Sequence, residues 1–79
     1  MPIFSDDLRK YQELEERYRV ELADYESESR AYQILLERDP KEPALAGHYT
    51  TVSEKNRKVQ ETYAELEQMR RSLSSAQRA

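Results

Sequence analysis

The side chains able to do chemistry in this chain are few, and none is arranged to do it. His48 is the single histidine, there is no cysteine, and no serine stands at motif spacing from His48 as a nucleophile would from its base. Glu13, Glu15 and Glu16 crowd three carboxylates together. Acidic helix surfaces form such clusters routinely, and Glu15 alone makes no acid/base pair. A metal site in a helical bundle wants paired glutamates and a Glu-x-x-His sequence turned inward, and that sequence does not occur. A single glycine, Gly47, leaves no glycine-rich loop to hold a phosphate. These absences predict a protein that is not an enzyme, with no catalytic residue, no metal and no cofactor.

The remaining polar candidate is basic. Lys55, Arg57 and Lys58 form a small cluster, with Arg70 and Arg71 further along. A net charge of −3 and a pI near 5.2 run against binding a phosphate backbone as the main task. The expected meaning of the cluster is a solvated helix face. A nucleic-acid-binding hairpin is kept as the alternative, and it requires the cluster to be doubled across a dimer.

What would position any of these groups is helix. Charged residues make up 37% of the 79, with one Gly and three Pro, a mixture that reads as long helices or coiled coil. A mean hydropathy of −1.09 would also suit a disordered chain. Order is argued by a row of rings: Phe4, Tyr11, Tyr18, Tyr25 and Tyr32 recur every seventh residue. That period puts them on one stripe of a helix, and the stripe has to be covered.

Ser5 is the expected N-cap of a first helix over about 6–38, with Asp6 and Asp7 near its positive end. With the rings at heptad position d, position a holds Leu8, Glu15, Leu22, Ser29 and Leu36, and Leu14 and Leu35 sit at g. Asp39-Pro40-Lys41-Glu42-Pro43 breaks the helix, since Pro40 disfavours helical geometry at Asp39. A second helix is expected over about 43–75, with a fray over 76–79. Its start is ambiguous, because Thr51-Val52-Ser53-Glu54 has the form of a capping box.

Folded back on the first, the second helix matches it position for position. Leu8 meets Leu73, Glu15 Leu66, Leu22 Val59, Ser29 Val52 and Leu36 Leu45. Tyr11 meets Arg70, Tyr18 Tyr63, Tyr25 Asn56 and Tyr32 Tyr49. The numbers of every pair add to one constant, so a single register centred on the proline turn serves both helices. Glu28–Lys55, Leu14–Met69 and Arg19–Glu67 are the expected edge pairs, Arg70 over Tyr11 an expected cation–π contact, and Asn56 an expected partner for the Tyr25 hydroxyl. The predicted fold is therefore all-α: one antiparallel two-helix hairpin with a coiled-coil-like seam, dimerising into a four-helix bundle.

One hairpin buries little, and a core of this size supplies only about 3–5 kcal/mol. On the far side of the first helix Val20, Ala23, Ser27, Ala31 and Ile34 make a stripe of small and apolar groups. This is the first expected partner surface, and the edge of Leu14, Leu35 and Met69, with His48, is the second. The expected function is a non-enzymatic protein–protein interaction module, with a second copy or a helical segment of another protein as partner. A structural spacer about 50 Å long is a further alternative. No apolar run reaches the length of a membrane span or signal-peptide core, and the lack of cysteine fits a reducing compartment, so a cytoplasmic location is expected.

Overall fold

The computed structural model describes the backbone of residues 2–78 and the side chains of residues 6–74. Two α-helices, α1 (Pro2–Arg38) and α2 (Leu45–Arg78), pack antiparallel as a hairpin measuring 58 × 15 × 15 Å. Among the described residues no helix is long and apolar enough to cross a membrane. The Phe4 side chain lies outside the described residues.

The helix ends differ from expectation for local reasons. Helix α1 begins at Pro2, whose fixed φ suits a first helical turn, so Ser5 lies inside the helix and is not its cap. At the other end the Asp39 amide still donates to the Leu35 carbonyl at 2.8 Å, and Pro40 stops the run there. The connection over 39–44 is a chain of short turns. Glu42 N–H donates to Asp39 O and Leu45 N–H to Glu42 O, both at 3.1 Å, and Lys41 N–H reaches the Asp39 carboxylate at 3.2 Å. The Glu42 carboxylate accepts from Ala44 N–H at 3.4 Å, so an acidic group stands at the start of α2.

Helix α2 therefore starts at Leu45, close to the expected start near Pro43 and well before Thr51. The would-be capping box is spent otherwise: Thr50 and Thr51 donate their hydroxyls to the carbonyls of Ala46 and Gly47, each at 3.1 Å. Those bonds to the fourth residue back are the ones threonines make inside a helix, not at its cap. The helix then runs to Arg78, past the point where the fray was expected, and Ala79 lies outside the described residues.

The register is as the ring spacing predicts. Tyr18 and Tyr63 sit with ring centroids 5.8 Å apart and Tyr32 and Tyr49 6.0 Å apart, both tilted. The centre of the seam, however, lies elsewhere. The sealed side chains are Thr62, at 1% exposure, Val59 at 3% and Leu66 at 8%. Half-buried positions in α2 run Leu45, His48, Thr51, Val52, Lys55, then Glu67, Met69 and Leu73; in α1 they run Asp7, Tyr11, Leu14, Glu15, Tyr18, Glu21, Leu22, Tyr25, Glu28, Ser29, Tyr32 and Leu35.

Each helix is thus turned by about 50° from the expected seam, so that positions d and g, not a and d, face the partner helix. The a row of α2 swings outward, with Tyr63 48% and Tyr49 61% exposed and Asn56 and Arg70 exposed as well. That of α1 moves to the edge of the seam, with Leu8 at 50% and Leu36 at 39% exposed but Glu15, Leu22 and Ser29 half-buried. The cause is volume. Helices in contact lie about 8–10 Å apart, and a layer of two facing tyrosines overfills that gap. Turning the helices lets Tyr49 and Tyr63 carry their hydroxyls to water and brings the smaller Thr62 to the centre.

Candidate functional site

The interior seam is bound by polar pairs as well as by packing. Thr62 donates its hydroxyl to Glu21 Oε1 across the two helices, and the other oxygen of Glu21 lies 3.6 Å from Arg17 Nε on the same helix. The threonine methyl fills the seam while its hydroxyl is satisfied, the condition on which a buried polar group is tolerated. About two turns of α2 from Thr62, Lys55 Nζ pairs with the Asp24 carboxylate. That hydrogen bond raises the lysine pKa above its usual value against an opposing loss from burial, with charge attraction to Asp24 and then Glu28 adding to the rise. No buried side-chain polar atom lacks a partner among the described residues.

Neither Thr62 nor Glu21 stands out in the sequence as a seam residue. The signal was present in the spacing. His48, Lys55, Thr62 and Met69 interleave with Leu45, Val52, Val59, Leu66 and Leu73 in unbroken steps of three and four. Their polar character conceals the pattern, because a long lysine buries its stem and a threonine its methyl without counting as apolar.

Several expected pairs are replaced. Arg19 bonds Glu16 at 3.2 Å on its own helix, and Glu67 takes Arg70 at 2.7 Å, so the Arg19–Glu67 bridge does not form. Arg70 is held at that carboxylate instead of lying over Tyr11, and its pKa is raised first by the Glu67 hydrogen bond and then by its charge. Asn56 is turned outward and does not serve the Tyr25 hydroxyl. The basic cluster is partly spent: Lys55 is paired with Asp24, and Arg57 lies 3.8 Å from Glu61. Among the described residues no three His, Asp or Glu side chains are gathered as a metal site would need.

The expected partner surfaces fall into two kinds. Val20, Ala23, Ser27, Ala31 and Ile34 are all exposed along the back of α1. Leu14, Leu35 and Met69 are half-buried beside the helix–helix contact, because g is now a seam position. Leu14 and Met69 keep one open side, where with Asp7, Glu65, Gln68, Ser72 and Leu73 they line a shallow groove of about 380 Å³. A third surface was not foreseen. Rotation leaves Leu8, Leu36, Tyr49 and Tyr63 exposed together on one long side of the hairpin. Compared with protein-family models, with curated proteins and with solved structures, the chain matches none.

Proposed function

We propose that this protein is a non-enzymatic interaction module that acts by helix–helix packing. The hairpin self-associates into a four-helix bundle, and the same mode of packing serves a helical segment of another protein if one is the partner. One observation carries this reading. Only three described side chains are sealed, and one of them is a threonine, while six large apolar ones stand exposed: Leu8, Val20, Ile34, Leu36, Tyr49 and Tyr63. A two-helix core that thin leaves the fold near the limit of stability, and covering the exposed rows adds the apolar burial the hairpin lacks. The pairing of Lys55 and Arg57 with carboxylates weighs against a nucleic-acid role. The lack of cysteine accords with work in the cytoplasm.

Light scattering on the pure chain tests the reading, with an expected mass of twice 9.4 kDa. Val20→Glu, Ile34→Glu and Tyr49→Glu probe the two exposed surfaces in the same experiment and in pull-downs. At least one of them should lower the mass or lose the partner. A stable monomer indifferent to all three, with no partner recovered, removes the reading.

A further inference from the structure

Resting on that reading, we propose that the a rows are covered by a second copy of this chain whose proline turn lies at the same end of the bundle, so that α1 of each copy packs on α2 of the other. The two rows share one side of the hairpin. Tyr63 and Tyr49 of α2 touch Tyr18 and Tyr32 of α1 from that side, while Thr62 and Glu21 meet in the seam behind them.

Read by height along the rod, the rows pair by character. Side chains on a helix lean toward its N-terminus, so in antiparallel helices the leans converge. With that lean, Leu36 comes level with Tyr49, Ser29 with Asn56, Leu22 with Tyr63, and Glu15 with Arg70. Glu15 is the only charged residue of the α1 row over residues 8–36, and Arg70 the only one of the α2 row over 49–70. A two-fold axis along the rod sets each layer against itself. Leucine and tyrosine then close on leucine and tyrosine, and each Glu15 faces the Arg70 of the other copy. A surface that complements itself in this way is what an isologous dimer requires.

Charge selects this orientation over its reverse. Residues 6–39 carry 11 acidic and 6 basic side chains, net −5, and residues 41–79 carry 5 acidic and 7 basic, net +2. With the turns at the same end, the acidic helix lies on the basic one. With the turns at opposite ends, α1 lies on α1, the Glu15 layer falls on Ser29 and the Arg70 layer on Asn56. Glu15 then meets no opposite charge from the other copy, and Arg70 keeps only Glu67 of its own chain. Unlike potentials facing each other favour the first arrangement, and like-charge contact disfavours the second.

A spin label at Lys41→Cys, in the turn, gives one label per chain and a distance that arises only between copies. The expected value is below about 30 Å, since neighbouring helices of a bundle lie about 8–10 Å apart. Turns at opposite ends would give a distance approaching the 58 Å length of the rod. Glu15→Arg or Arg70→Glu alone should weaken the dimer roughly tenfold, and the two together should restore it. A dimer with the long distance, with no rescue by the double reversal, or lost to Ile34→Glu but not to Tyr49→Glu overturns this arrangement and leaves the interaction reading standing. A chain that stays monomeric at every concentration overturns this arrangement and self-association together, and the pull-down then decides whether another protein is bound.

Discussion

Thr62 is the most deeply buried side chain described, and its hydroxyl is given to Glu21 across the seam. Thr62→Val keeps the shape and removes the donor, so it should cost about 1 kcal/mol in a urea titration. Adding Glu21→Met removes the stranded acceptor too and should recover most of that loss. Lys55 sets a pH limit. Its raised pKa means that the stabilisation it brings is complete below the ordinary lysine value of about 10.4 and fades as pH climbs through the higher native value. Stability measured upward from about pH 10 should therefore fall faster in the natural chain than in Lys55→Met. Leu66 is sealed, whereas Leu22 has one side open, so Leu66→Ala should cost about 2 kcal/mol or more and Glu13→Ala almost nothing.

At the scale of the helices, the soft place is the first two turns of α2. Gly47 sits inside the helix, and a methyl added there would meet no atom within 4 Å. Gly47→Ala should stabilise the hairpin by about 0.5–1 kcal/mol, read as a higher urea midpoint with unchanged slope. The turn and the register were legible in the letters, because prolines interrupt helices by known sterics and rings every seventh residue leave one way to align two strands. The rotation of the helices was not. Helix α1 carries apolar groups at a, d and g, a stripe wider than one neighbour covers, and such a stripe has no unique centre. Where its centre falls depends on how two tyrosines crowd a layer and on whether Glu21 and Thr62 meet, which residue types alone do not reveal. The partner surfaces inherit that limit: Leu14, Leu35 and Met69 were drawn into the seam, and the face of Tyr49 and Tyr63 was turned out.

The whole molecule is a rod one helix pair thick, 58 Å long and 15 Å across. Nothing in a rod of two helices lies far from water, and its stability rests on a single contact surface. Deleting one matched heptad from each helix should keep the fold and shorten the reach, the behaviour expected of a spacer, but should weaken any bundle in proportion to the rows removed. The central claim is that another pair of helices completes this core. Thermal unfolding followed by circular dichroism across a hundredfold range of protein concentration tests it most directly, since association of the folded form ties the midpoint to concentration. The account predicts a midpoint that rises with concentration; a sharp, stable transition at one temperature throughout would contradict it.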